Sequence, residues 1–252
     1  MLQWSRRKAE LKRRLLPIRL ALQGKDYQIQ EVTTLRKFVA TFNIDCIIDI
    51  GANIGQYGRM LRQEVGYTGL ILSFEPNPEC LAKARAAAAG DDKWFVFDQA
   101  VSDADSSKAF SIMANPEFSS FELPDPDQPK LFDTHNDVVR QVQVDAVRLD
   151  TLFPRLQKRY GFQRPFLKMD TQGHDHVVLA GAEAVLDQFI GLQSEMPVHR
   201  LYAGSMTMPE MLALITSRGF RPSAFVPSNS GHFPLLMDID GLFVRNDLCA
   251  QS

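Results

Sequence analysis

Cysteine is scarce in this chain of 252 residues: there are three, Cys46, Cys80 and Cys249. They lie far apart, and no pair has the close spacing of a zinc knuckle or a dithiol redox motif. Long apolar runs are missing too. None approaches the roughly 20 residues that a membrane-spanning helix needs, and the first residues lack the apolar stretch and small-residue cleavage site of a secretory signal. These absences predict a protein kept in a reducing cytoplasm. Net charge is nearly absent as well: 28 Lys and Arg against 30 Asp and Glu leave a formal −2. There is no global electrostatic pull toward nucleic acid, and a small-molecule partner is expected.

What the chain does have is apolar residues, 45% of the total, enough at this length to bury one substantial core. The charge that exists is uneven. Residues 1–25 carry Arg6, Arg7, Lys8, Lys12, Arg13, Arg14, Arg19 and Lys25 against Glu10, interleaved with Trp4, Leu11, Leu15, Leu16, Leu20 and Leu22. We read 1–30 as a basic helical appendage and 31–252 as a single domain. The appendage has two readings: a peripheral contact with an anionic membrane surface or an acidic partner, or a helix packed on the domain with its charges solvated.

Apolar positions Val32, Leu35, Val39 and Phe42 recur at spacings of three and four, which predicts a helix. The short apolar runs Cys46–Ile50, Leu70–Phe74 and Trp94–Phe97 then alternate with helix-like stretches at about 55–65 and 78–89. Such alternation predicts βαβ units and a mostly parallel sheet. Residues 103–137 interrupt it with Asn115-Pro116, Pro124, Pro126 and Pro129, so we expect a substrate loop or lid there, with one strand near Ala109–Met113. Regularity returns with strands at Val142–Leu149, Phe166–Met169 and Leu192–Met196 and helices at Asp175–Gln188 and Pro209–Ser217. Ala224–Val226 and Leu242–Val244, with no helix between them, predict an antiparallel pair at the sheet edge.

The chemistry-bearing motif is the first strand with the turn after it. Asp49 ends an apolar run and leads into Gly51-Ala52-Asn53-Ile54-Gly55, a tight turn whose glycines allow positive φ and close approach of a ligand. About 20 residues on, Glu75 ends the second strand, the place from which an acid grips ribose hydroxyls. A dinucleotide turn needs glycine at the first, third and sixth positions, where this chain has Gly51, Asn53 and Gln56. S-adenosylmethionine has no pyrophosphate and needs polar groups at its amino-acid, ribose and adenine parts. Asp49, Glu75 and Asp98 or Gln99 occur in that order at successive strand ends, and the methyl donor is favoured.

Several segments together resemble the FkbM-type methyltransferases: Asp49–Tyr57, Phe74–Pro78, Ala100–Ser102, Leu149–Leu152, Leu167–Asp175, Val178–Ala182 and Glu195. The likeness runs from about residue 45 to 245. It implies a class I methyltransferase fold, a Rossmann-like α/β sandwich of seven strands with the last antiparallel, and O-methylation of a hydroxyl, often on a sugar or polyketide-like product. Asp175 departs from the family, which usually has Glu there.

On this reading the cofactor contacts are Asp49, Gly51, Asn53, Gly55, Tyr57, Glu75, Pro76, Asp98, Gln99, Ala100 and Asp170. Methyl transfer to a hydroxyl is helped by a base within about 3 Å. Asp170 leaves a strand at the carboxyl end of the sheet, where open α/β folds place their sites. With Glu195 and His199 it forms the expected catalytic set. These three could also hold Mg²⁺ or Ca²⁺, but no fixed ligand spacing demands a metal, and a divalent ion is possible without being favoured. Gln172, His174, Ser119 and Ser120 are the expected acceptor contacts, with Phe121 as either a contact or a loop anchor, and His135 reaches the acceptor only if its loop closes. Lys168, inside a strand, is expected to pair with a neighbouring acid. A nicotinamide-dependent oxidoreductase and a non-catalytic cofactor-binding protein of the same fold are the alternatives.

Overall fold

The computed structural model describes residues 15–22, 28–128, 136–227 and 235–249; His135 lies outside them. A helix over 15–22 (α1) precedes Gln28–Phe42 (α2). Then come Cys46–Ile50 (β1), Gln56–Met60 (α3), Leu70–Phe74 (β2), Pro78–Ala88 (α4) and Trp94–Phe97 (β3). The expected helix over 55–65 is α3 continued by a π-helical turn at Leu61–Val65. Asn77 caps α4 by accepting from the Glu79 N–H at 3.1 Å, and Pro78 opens that helix, where its missing N–H costs nothing.

Next are Ala100–Ser102 (β4), Ser106–Met113 (β5), Val138–Arg148 (β6), Leu149–Tyr160 (α5) and Pro165–Met169 (β7). The chain closes with Asp175–Ala180 (α6), Gly191–Pro197 (β8), Met208–Ser217 (α7), Phe220–Pro227 (β9) and Asp238–Arg245 (β10).

The main sheet has the order β3-β2-β1-β7-β8-β10-β9. From β3 to β8 all neighbours are parallel, and β10 runs antiparallel to both β8 and β9. All five residues of β1 and of β7 are buried, as expected of parallel strands covered by helices on both faces. One core cluster joins α5, α6 and α7 to the sheet through Phe153, Phe189 and Phe243. The other gathers α1, α2 and α3 around Phe166 and Tyr67.

The seven-stranded, mostly parallel sheet agrees with the expectation, and the last two strands form the expected antiparallel pair at its edge, with β10 beside β8 and β9 outermost. Three local readings need correction. The strand expected at Val142–Leu149 is not in the main sheet. It belongs to β6, which pairs with β4 in parallel and with β5 in antiparallel to build a second, three-stranded sheet. The strand expected near Ala109–Met113 is the end of β5, anchored by Phe110, Ile112, Val144 and Phe121. Helix α5 was not anticipated, although Leu149, Leu152, Phe153 and Leu156 are all buried at helical spacing and Gly161, at φ 74°, ends it. Finally, α6 stops at Ala180, and at Gly181 the chain passes so close to β4 that a Cβ would lie 2.0 Å from the Ser102 carbonyl oxygen.

Candidate active site

The glycine turn is held from both sides. Gly51 and Ala52 donate their N–H groups to the Phe74 carbonyl at 3.1 and 3.0 Å, and Asp170 donates its own to the Ile50 carbonyl at 3.0 Å. The ends of β1, β2 and β7 are thereby tied together at their carboxyl edge. Gly51 sits at φ +80°, and a Cβ there would stand 1.8 Å from the Asp170 carbonyl oxygen. Both the left-handed backbone and the contact exclude a side chain. Gly51→Ala is expected to lower stability by about 2–5 kcal/mol, measured by urea denaturation; a loss under about 1 kcal/mol would refute this packing.

A cavity of about 370 Å³ opens over the turn. Gly51, Asn53, Glu75, Pro76, Gln99 and Ala100 form one part of its wall, and Asp170, Gln172, His174, Glu195 and Tyr202 another. Glu75 is fixed by two backbone donors, the N–H of Asn53 to Oε2 at 2.6 Å and that of Asn77 to Oε1 at 2.8 Å. Burial pushes its carboxyl up to about 7 in spite of these bonds. Each oxygen keeps a lone pair for a ligand on the cavity side.

Asp170, Gln172, Glu195 and Tyr202 form a second constellation. The Gln172 side chain donates from Nε2 to Asp170 Oδ1 at 2.8 Å and to Glu195 Oε2 at 3.1 Å, and its Oε1 accepts from the Tyr202 hydroxyl at 3.1 Å. Its backbone is left-handed, φ 53°, stabilised by the Ser120 hydroxyl donating to the Gln172 carbonyl at 2.7 Å. Burial, together with the nearby charges of Asp170, Asp238 and Asp240, raises the Glu195 carboxyl well above its usual range. Lys168 lies beneath, 4% exposed. Its ammonium is 3.4 Å from Asp49, 3.3 Å from Asp170 and 5.1 Å from the centre of the Tyr57 ring. Burial disfavours its charge, but Asp170, Asp49 and Asp240 outweigh that and hold its pKa above normal. It pairs with acids, as its position in the strand led us to expect.

The other expected site residues divide into wall and support. Ser119 and His174 are on the wall. His174 is buried, its Nδ1 2.9 Å from Glu122 and its Nε2 3.0 Å from the Ser102 hydroxyl. Phe121 does double duty, lining the cavity and packing edge-on against Phe110. Asp49 lies below the turn, fully buried, with Oδ2 accepting from the Ser73 hydroxyl at 2.8 Å. Burial raises its pKa despite Lys168. Tyr57 is also underneath, donating to Gln193 at 2.9 Å, and Gly55 packs α3 against Ala84 and Trp94. Ser120 supports Gln172 without lining the cavity. Asp175, the family departure, accepts from Thr171 N–H at 2.9 Å, Thr171 Oγ1 at 2.5 Å and Ser194 Oγ at 2.7 Å, so the shorter arm is fully used in tying the loop to β8.

Two expected members are neither on the wall nor among the supporting residues. Asp98 is 67% exposed and pairs with Arg85 at 3.3 Å, leaving Gln99 as the polar group on that wall. His199 lies past the end of β8 with an exposed side chain, because the chain leaves the sheet at Pro197 before reaching it. Sequence reasoning in turn missed Tyr202, Leu201, Phe118 and Asp238. Tyr202 carries no local motif. Asp238 could have been found only from the pairing of β10 with β8, which sets Asp238 opposite Pro197 and Asp240 opposite Glu195. Among the described residues, no group of three or more His, Cys, Asp or Glu is arranged to hold a metal ion.

This strand order, with a glycine turn after β1 and an acid ending β2, defines the class I methyltransferase fold. The Methyltransferase FkbM domain matches residues 49–222, and the chain belongs to that family. Among solved structures, magnesium protoporphyrin IX methyltransferase from Synechocystis PCC 6803, solved with bound S-adenosylmethionine, superposes with a TM-score of 0.50 at 10% identity, covering 88% of this chain and 81% of its own. An FkbM methyltransferase from Methylobacillus flagellatus KT gives a TM-score of 0.47 at 17% identity, over 79% of this chain and 43% of that one, so the present chain spans less than half of that relative. No curated protein matches the sequence. No helix among the described residues is long and apolar enough to cross a membrane.

Proposed function

We propose that the protein is an S-adenosylmethionine-dependent O-methyltransferase acting on a hydroxyl of a small acceptor, a sugar or secondary metabolite. The observation that carries this is the charge of the cavity. Its described wall includes Glu75, Glu117, Asp170, Glu195 and Asp238 and no lysine or arginine. A dinucleotide would bring two phosphate charges against these carboxylates. S-adenosylmethionine brings a sulfonium and an ammonium, both cations, which such a wall attracts.

The residues present fit that cofactor. Glu75, oriented by Asn53 and Asn77, would accept from the ribose hydroxyls, Gln99 would meet the adenine, and Asp170 would face the amino-acid end. Bound there, the cofactor supplies an electrophilic methyl group. The chain's own work is to align the acceptor oxygen, exclude water and take up a proton. Glu195 is the base: it lines the cavity beside Asp170, and burial and its acidic neighbours raise its proton affinity above that of an ordinary carboxylate, the direction that favours proton uptake. Gln172 holds Glu195 and Asp170 in register, and Phe110, Phe118, Phe121 and Leu201 supply the apolar part of the wall. The likeness to the family implies the oxygen specificity.

The direct test is transfer of labelled methyl from S-adenosylmethionine to a panel of glycosides, polyketides and cell extract, with and without chelator. Labelled product with an O-methyl group is the expected result. Protein that fails to bind S-adenosylhomocysteine by calorimetry, or binds NADH instead, overturns the reading.

The site leads to two more expected results. With Glu75 titrating at about 7, its ionised fraction rises from about a tenth at pH 6 to about nine tenths at pH 8. Because the ionised form accepts both ribose hydroxyls, affinity for S-adenosylhomocysteine is expected to climb about ninefold over that interval and then level off. Flat affinity between pH 6 and 8 would contradict it. The Tyr202 hydroxyl, with a single hydrogen to share, also lies 2.9 Å from the Phe118 carbonyl, linking that loop to Gln172. Tyr202→Phe is expected to raise the acceptor KM about tenfold while leaving cofactor affinity within about twofold; equal losses in both would place Tyr202 elsewhere in the mechanism.

A further inference from the structure

Helix α1 carries two apolar stripes. Leu16 and Leu20, four residues apart, are 5% and 2% exposed and belong to the cluster that includes Val32, Leu35 and Leu61. Leu15, Ile18 and Leu22, spaced by three and four, are 48%, 58% and 85% exposed. At about 100° per residue the second stripe faces about 140° away from the first. One face thus fastens the helix to the domain, and the other is held on the surface with its aliphatic side chains in water. Arg19, between the stripes, is ion-paired with Glu64 and adds to the fastening.

Scattered exposed leucines are ordinary, but three in register on a docked helix form a stripe, and such a stripe marks a contact site. Charge says what it meets. In sequence, residues 1–14 contain Arg6, Arg7, Lys8, Lys12, Arg13 and Arg14 against Glu10 alone, together with Trp4 and Leu11. The rest of the chain is acidic in balance, since the whole carries −2. A basic segment leading into an exposed aliphatic stripe is the composition that binds the headgroup and acyl boundary of an anionic bilayer.

We infer that α1, through Leu15, Ile18 and Leu22, rests on a membrane surface rich in anionic lipid, with the preceding basic residues supplying the electrostatic attraction. The helix lies in the interface and does not cross it, so the attachment is peripheral and salt-sensitive.

The test is co-sedimentation of the full chain with vesicles of phosphatidylcholine alone and with about a third phosphatidylglycerol. Binding is expected to be at least about tenfold stronger to the anionic vesicles and to fall about tenfold between low and physiological salt. The triple variant Leu15→Ser, Ile18→Ser, Leu22→Ser is expected to lose about tenfold in partitioning. Its thermal midpoint should shift little and its S-adenosylhomocysteine affinity should stay within about twofold, because these side chains are about half or more exposed and lie outside the buried cluster. No binding to anionic vesicles, or equal binding by the triple variant, overturns the proposal. So does sedimentation showing that the stripe pairs two copies of the chain, with the wild type dimeric and the variant monomeric.

Discussion

Glu75→Ala is expected to weaken S-adenosylhomocysteine binding by at least about 100-fold, the largest effect of any single change at the cofactor end. The carboxylate would make two charge-assisted bonds to the ribose, each worth about 1.5–3 kcal/mol, so losing both exceeds the roughly 2.7 kcal/mol that corresponds to 100-fold. Truncation also leaves the N–H groups of Asn53 and Asn77 without the oxygens they now reach at 2.6 and 2.8 Å, loosening the turn. Glu75→Gln keeps the shape but presents an NH₂ to one of those donors, and should recover only part of the loss. Asp98→Ala is the control. Its side chain is 67% exposed and turned to Arg85, so affinity should stay within about twofold. Calorimetry on the three variants decides it, and Asp98→Ala weakening binding as much as Glu75→Ala would contradict the geometry.

Lys168→Met should be the most destabilising substitution at the acid cluster. The ammonium is the cation shared by Asp49, Asp170 and, at longer range, Asp240. Removing one partner of a buried ion pair leaves an uncompensated charge at a cost of about 3–5 kcal/mol. The effect has a definite dependence on pH. Lys168 has a raised folded pKa, so its contribution is complete below the unfolded value and disappears only as pH rises through the folded one, in strongly alkaline solution. Asp49 already has a raised pKa from burial, and without the lysine it rises further. A carboxyl with a raised folded pKa contributes stability at low pH that is lost on alkalinisation. The deficit of Lys168→Met against wild type should therefore shrink as pH falls from about 8 toward 5, because the stranded carboxyl takes up a proton. Urea denaturation at three pH values measures it. A deficit below about 1 kcal/mol at pH 8, or one that grows on acidification, would refute the assigned role of the pair.

The part of the candidate site around the glycine turn was legible because it is local. Asp49 through Gly55 and Glu75 each sit at a strand end marked by an apolar run, and a glycine turn announces its backbone requirement directly. Even there the order of residues could not say which acid faces the ligand. Asp49 and Asp98 both end strands, yet one is buried under Ser73 and Lys168 and the other points to solvent. The part around Asp170, Gln172 and Glu195 was less legible. Motif and position pick out Asp170, Gln172 and Glu195, but their joining through one amide depends on a left-handed backbone at Gln172. His199 follows Glu195 closely in sequence but is carried away from it where the chain leaves β8 at Pro197. Helix α5 shows the reverse error, since its helical spacing is plain but the segment reads first as a family motif.

By itself the sequence determined the class of fold, the place of the glycine turn and the absence of a dinucleotide fingerprint. Each of these rests on periodicity or on residues a few positions apart, where backbone geometry leaves few choices. Only the tertiary structure decided that β10 lies inside the sheet, that β4, β5 and β6 form a second sheet, and that Tyr202 and Asp238 reach the cavity. It also decided which stripe of α1 is buried and which stays in water. Those outcomes depend on pairings between residues tens of positions apart, set by which surfaces bury best together, and no local pattern encodes that competition.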